Sequence, residues 1–282
     1  MSAWKRLLRQ KLKMAGQNVV LPFWYRLFAW KKVQSASVLF ADAHHDSRPA
    51  NMDLLYVAMK KEKRYQIREM YLDFGQASFV RTLLFSLRFM RRFAATQTVI
   101  LCDNFLPAAS CKCKKETLVV QLWHACGCLK KFGYDSQVDI PSSYHGHVFR
   151  NTRFVTVSAP ACQEPFASAM RLDASCIFPT GISRTDLYFR KKWLGAMRER
   201  FRDLYPQARG KRVVVVAPTF RGNPGAPEMF PLDFQMLEKR LGEDCFVLAS
   251  LHPHMKKSAS SAMRISRMST SELFPVTDVL VS

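Results

Sequence analysis

Acidic residues are scarce in this 282-residue chain: 22 Asp and Glu stand against 43 Lys and Arg, a formal net charge of +21. No acid occurs before Asp42, although Lys5, Arg6, Arg9, Lys11, Lys13, Arg26, Lys31 and Lys32 precede it. So one-sided a balance points to a polyanionic partner: nucleic acid, an anionic membrane surface or a phosphorylated substrate. Cysteine is sparse too. Eight scattered thiols do not make a disulfide scaffold, no signal-peptide pattern precedes them, and free thiols in a reducing compartment are expected. Cys111/Cys113 and Cys126/Cys128 each enclose one residue, against the two to four of structural zinc sites, so a metal is not expected. The chain lacks a continuous apolar run of about 20 residues, the length that spans a bilayer. It also lacks the G-x-x-x-x-G-K-[ST] and G-x-G-x-x-G fingerprints of ATPases and dinucleotide enzymes.

What is present is an ordinary packed composition, 48% hydrophobic and 12% aromatic, which excludes collagen-like and low-complexity classes. Trp4, Leu7, Leu8, Leu12 and Ala15 recur at helical spacing, with Lys5, Arg6, Arg9 and Lys13 largely off that stripe. A second apolar stretch from Val19 to Trp30 is interrupted by Pro22 and Arg26. Tryptophan, tyrosine and basic residues together suit a headgroup region, where each cation near an anionic leaflet gains roughly 1 kcal/mol. Residues 1–33 are therefore expected to be a basic amphipathic segment that associates peripherally with a membrane; the alternative is a basic helix packed on the rest of the protein.

From residue 36 onward, β-branched and apolar runs alternate with helical patterns. Strands are expected at 37–40, 66–72, 98–101, 118–122, 154–157, 176–178, 212–217, 245–251 and 279–281, and helices at 52–62, 79–93, 160–170, 192–204 and 233–241. That alternation predicts an α/β protein of two doubly wound, Rossmann-like domains, residues 34–190 and 191–282. Val213 to Val216 are four β-branched residues without alternation, as in a central strand buried on both sides.

Ligands of such sheets bind at the carboxyl ends of the strands, and four groups of residues fall there. Trp123 and His124 follow the strand at 118–122, and an imidazole so placed can take a proton from a hydroxyl near neutral pH. Gly127 permits close backbone approach to a phosphate, and Lys130 and Lys131 add charge. Arg184, after the strand at 176–178, offers a fixed fork of donors to phosphate or carboxylate. Pro218, Thr219 and Arg221 follow the strand at 212–217, and His252, Pro253 and His254 end the strand at 245–251. Jointly these describe a pocket for a phosphorylated ligand. His44, His45, His145 and His147 are read as loop residues.

In order and spacing, Trp123-His124 with Lys130-Lys131 and Gly133, Gly181-x-x-Arg184-x-Asp186, Ala217-Pro218-Thr219-Phe220-Arg221 and Leu251-His252-Pro253-His254 resemble the CDP-glycerol glycerophosphotransferase family of teichoic-acid synthesis. Asn51-x-x-x-Leu55-Tyr56 fits that family's early helix. The resemblance implies a glycosyltransferase-B-like fold and transfer of glycerol phosphate from CDP-glycerol to a hydroxyl of a membrane-anchored acceptor, with release of CMP. It implies His124 as the general base, and Trp123, Gly127, Lys130, Arg184, Pro218, Thr219, Arg221, His252, Pro253 and His254 as substrate-binding residues, with no cofactor. It also implies a peripheral enzyme on the cytoplasmic side of an anionic membrane.

Two departures accompany it. Many members carry Trp-His-Gly-Thr-Pro-Leu-Lys-Lys, whereas here the stretch from His124 to the lysines is one residue longer. Residues 277–282 resemble the strand leading into the family's Asp-Tyr-Ser-Ser motif, so the second domain is expected to be incomplete and activity weak or absent. The alternatives are a sugar-nucleotide glycosyltransferase of the same architecture and an inactive membrane-associated remnant. Nucleic acid is not an expected partner, because the basic residues are dispersed without a recognition helix.

Overall fold

The computed structural model describes residues 14–137, 139, 140, 142, 144–218, 221–223, 226–228, 233–251 and 263–282, with side chains left aside at 221–223 and 226–228. The amino-terminal stripe from Trp4 to Leu12, Thr219, the side chain of Arg221, and His252, Pro253 and His254 lie outside the described residues. Two compact units divide the chain, Met1–Arg184 and Thr185–Ser282.

The first unit runs π-turn Gly16–Val20, α1 (Leu21–Phe28), β1 (Gln34–Asp42), α2 (Ala50–Lys61), β2 (Gln66–Tyr71), α3 (Phe79–Phe93) and β3 (Thr96–Leu101). It continues α4 (Leu106–Ala109), β4 (Leu118–Gln121), β5 (Thr152–Thr156), α5 (Gln163–Met170) and β6 (Ile177–Phe178). Six parallel strands form one sheet in the order β2-β1-β3-β4-β5-β6. Alternation along β1 shows why both faces are covered. Leu39 and Ala41 join the core under α1 and α3, while Val38 and Phe40 pack with Met52, Leu55 and Tyr56 of α2 on the other face. β3 repeats this, with Val99 and Leu101 on one face and Ile100 on the other.

The second unit holds α6 (Lys191–Leu204), β7 (Arg212–Val216), β8 (Arg221–Asn223), β9 (Ala226–Glu228), α7 (Phe234–Leu241), β10 (Cys245–Ala249), α8 (Thr270–Leu273) and β11 (Val279–Val281). β7 is central in a parallel β10-β7-β11 sheet, and Val213 and Val215 enter one core while Val214 and Val216 enter the other. The mixed α/β class expected from the sequence is what the chain adopts. Strand ends shift by up to three residues: the expected 37–40 strand is Gln34–Asp42, the expected 154–157 strand is Thr152–Thr156, and 279–281 is unchanged.

The stretch from Val19 to Trp30 is helical and partly buried. Pro22 sits in the first turn of α1, where its missing N–H breaks no helical bond. Leu21 and Tyr25 are buried in the core, and Trp24 Nε1 donates to the Leu87 carbonyl of α3 at 3.0 Å. Burying the Leu21 side chain alone contributes roughly 2 kcal/mol, and burial pushes the Tyr25 hydroxyl up to about 12. The opposite side of the segment exposes Val19, Val20, Phe23, Leu27 and Trp30. No helix among the described residues is long and apolar enough to cross a membrane.

Candidate functional site

Sheet order reverses at β1, which lies between β2 and β3, so the carboxyl ends of β1, β3 and β4 border a topological switch point. Three carboxyl-end segments meet there. β1 ends in Asp42, only 1% exposed, followed by His44 and His45; β3 is followed by Cys102 and Asp103; β4 is followed by Leu122, Trp123 and His124. The parallel register, with Leu101 opposite Gln121, brings Asp103 and His124 together despite their separation in sequence.

His124 Nδ1 lies 3.1 Å from Asp103 Oδ2, and His44 Nδ1 lies 3.7 Å from the same oxygen. The Asn104 amide donates to Asp103 Oδ1 at 2.6 Å. Burial works to raise the Asp103 carboxyl, but the hydrogen bond and charge of His124, then His44 and the Asn104 amide, outweigh it and hold the group below the usual carboxylate range. Asp42 Oδ2 accepts from the His44 amide at 2.7 Å and faces His45 Nδ1 at 2.8 Å. Cys102 donates to Asp42 Oδ1 at 3.4 Å. Burial first and the Asp42 charge second push that thiol far up, which removes it as a nucleophile.

The imidazole owes its aim to a strained turn. Trp123 has φ +55, a left-handed conformation that costs a bulky residue about 1–3 kcal/mol. Buried Gln121 accepts the Trp123 amide on Oε1 at 3.0 Å and donates from Nε2 to the Asp103 carbonyl at 2.9 Å. Asn51, at the start of α2, donates from Nδ2 to the Trp123 carbonyl at 2.6 Å, while its own carbonyl accepts from Ser183 Oγ at 3.0 Å. The indole packs on Phe132 and Phe149. Held this way, Trp123 stacks on the His124 ring at 4.5 Å and leaves His124 half exposed. With Nδ1 toward the carboxylate, a neutral ring presents the Nε2 lone pair to an incoming group.

Arg184 Nη2 donates to the His124 carbonyl and to Cys126 Sγ, both at 3.1 Å, so it shapes the His124 loop directly. Gly127 has open space around the place of a Cβ, and Lys130 and Lys131 are exposed on the same loop. Gly133 closes that loop: at φ +58 a Cβ would lie 2.2 Å from the Ala169 carbonyl oxygen of α5, so only glycine fits. In the second unit Pro218 is buried just beyond β7. Sequence reasoning missed Asp42, Asp103 and Gln121 and left His44 as a loop residue. The available signal was an acid at the carboxyl end of each of two neighbouring strands, Asp42 as the last residue of β1 and Asp103 two residues past β3. Among the described residues no group of three or more His, Cys, Asp or Glu is placed to hold a metal ion.

The teichoic acid ribitol-phosphate primase of Bacillus spizizenii is 32% identical over 243 residues, covering 83% of this chain and 62% of the relative. The teichoic acid poly(ribitol-phosphate) polymerase of the same organism is 30% identical over 277 residues, covering 92% of this chain and 44% of the relative. The chain thus spans roughly half of the length of these relatives. The solved wall teichoic acid polymerase TagF shares the fold, with a TM-score of 0.69 at 16% identity over 97% of this chain and 73% of that one. The family described as CDP-Glycerol:Poly(glycerophosphate) glycerophosphotransferase matches residues 23–282, the strained turn and the Asp103–His124 pair included, and the chain belongs to that family.

Proposed function

We propose that this protein transfers a polyol phosphate from a CDP-activated donor to an acceptor hydroxyl. The observation that carries the reading is His124, oriented through Nδ1 by Asp103 and open at Nε2 beside the switch point of the sheet. Nε2 takes the proton of the acceptor hydroxyl as its oxygen bonds to the β-phosphorus; the bond from that phosphorus to the bridging oxygen breaks, and CMP leaves with the electron pair. Positioning and charge stabilisation dominate such transfers. In this reading Trp123 holds the ring, Gly127 and Lys130 line the loop, and Arg184, Pro218, Thr219, Arg221, His252, Pro253 and His254 hold the nucleotide diphosphate. Nη2 of Arg184 is engaged by the loop, so its remaining guanidinium nitrogens are assigned to phosphate.

Donor identity has two readings. The family description supports CDP-glycerol; the two relatives named for ribitol phosphate support CDP-ribitol. CMP release from each donor, measured with membranes supplying the acceptor, separates them, and the same assay on His124→Ala tests the base. A variant as fast as the wild type removes His124 from the mechanism. Transfer from UDP-sugars with no CMP release from either CDP-polyol replaces the reading with a glycosyltransferase.

The acceptor is proposed to be membrane-anchored and the protein peripheral on the cytoplasmic face. Exposed Val19, Val20, Phe23, Leu27 and Trp30 next to Arg26, Lys31 and Lys32 support this. Because α1 is part of the core, the test substitutes Phe23, Leu27 and Trp30 by Ser rather than deleting the segment. Unchanged co-sedimentation with anionic vesicles overturns peripheral attachment through this face.

A further inference from the structure

The amino end of the first unit's sheet holds a cavity of about 430 Å³ that the transferase reading does not use. Lys31, Arg68, Arg88, Arg91 and Arg92 line it. Among the described residues no carboxylate forms an ion pair with any of the five. It is remote from His124: from Ser37 at its wall to Asp42 at the carboxyl end, β1 runs roughly 17 Å.

Lys31 rests over the Phe28 and Trp30 rings and Arg91 over Phe28, but local chemistry gives none of the five a carboxylate among the described residues. Arg91 and Arg92 lie in the last turn of α3, where free carbonyls would favour positive charge. Lys114 Nζ, however, takes the Ala94 carbonyl at 2.8 Å and also the Lys31 carbonyl, and Thr96 Oγ1 takes the Arg92 carbonyl at 2.8 Å. Ser37 is likewise satisfied, donating to the Gln34 carbonyl and accepting the Gln97 amide. Burial, then Arg68, Arg88 and Arg91, lower the pKa of Arg92. The wall is also built against local preference. Ala36 sits at φ +57, its amide on Gln97 Oε1 at 2.7 Å, and the β1–β3 register jumps between Gln34 and Val38. Strain of that kind persists only where surrounding structure enforces it.

We propose that this cavity is a binding site for clustered phosphate groups, separate from the donor site. Guanidinium forks match phosphate oxygens two at a time, and several exposed forks around one cavity match more than one phosphate. The same chemistry is offered by phosphodiester headgroups at a bilayer surface and by a soluble oligophosphate or polyol-phosphate chain. The proposal stands whichever group the enzyme transfers.

The test uses the full chain, inorganic tripolyphosphate as soluble probe and equimolar phosphatidylglycerol–phosphatidylcholine vesicles as the membrane probe. The site variant is Arg68→Gln/Arg88→Gln/Arg91→Gln. Its control, Lys61→Gln/Lys115→Gln/Lys192→Gln, removes the same charge from exposed positions elsewhere. The site variant is expected to bind at least about tenfold more weakly in one or both arms, and the control within about twofold. Arg88→Lys/Arg91→Lys keeps the charge, loses the forks and falls between, which separates recognition from bulk charge even if the triple variant folds poorly. Loss in the tripolyphosphate arm alone assigns a soluble ligand; loss in the vesicle arm assigns the headgroup. Equal loss in site variant and control, or no saturable binding by the wild type in either arm, overturns the proposal.

Discussion

The two ends of the first unit's sheet treat charge in opposite ways. At the carboxyl end, acids and imidazoles are matched before any substrate arrives: Asp42 with His45, Asp103 with His124 and His44. At the amino end, five cations share a cavity with no matching acid among the described residues. In the roles proposed, a network that aims a base is completed by the protein itself, and a cavity that holds an anion is left for the anion to complete.

Breaking the carboxyl-end network gives the largest effects. His124→Ala is expected to lower CMP release about 10²–10⁴-fold, the usual contribution of a general base, with little loss of stability because the ring is half exposed. Asp103→Asn keeps the shape and removes the charge. It is expected to cost about 10²-fold in kcat with KM nearly unchanged, since it misplaces the ring without touching substrate, and Asp103→Glu restores part of the loss. A KM change without a kcat change would assign Asp103 to binding instead.

Asn51→Ala leaves the Trp123 carbonyl without its buried donor and is expected to destabilise the protein by about 1–3 kcal/mol in urea denaturation. Acid sharpens the comparison further. Asp103 titrates below its ordinary value of about 3.9, so its pairing contributes fully above that pH and is lost as the pH falls through the lowered value. Asp103→Asn should therefore be less sensitive to acid in this window than the wild type; identical acid profiles would remove the pairing from the stability of the fold. The smallest effect belongs to the amino end. Arg88 faces Arg91 and Arg92 at i+3 and i+4 on α3, and it lies outside the favourable last turn. Arg88→Gln should raise stability by roughly 0.4–1 kcal/mol, read as a higher Tm.

Much of the framework was legible in the sequence because its cause is local. Val213 to Val216 announced a strand buried on both faces, and the apolar spacing from Phe79 to Phe93 matched α3 residue for residue. The place of His124 was legible for the same reason, since it lies three residues beyond the end of β4. Its partner was not. Asp103 becomes a neighbour only through the β3–β4 register, which no short motif encodes. Trp123 and Ala36 carry no sign of their left-handed backbones, because glycine is the residue that usually marks such turns. Pro22 read as an interruption although it begins a helix, and the five cations of the cavity come from the segment after α1, from β2 and from α3.

One residue ties these loops to a rigid body. Asn51 grips the Trp123 carbonyl with its side chain and receives Ser183 on its backbone, from the first turn of a twelve-residue helix. Thermal jitter of the imidazole should then track the tumbling of that helix rather than the faster wobble of the glycine-containing loop beyond Cys126, so nuclear relaxation of the His124 ring should resemble that of the α2 backbone.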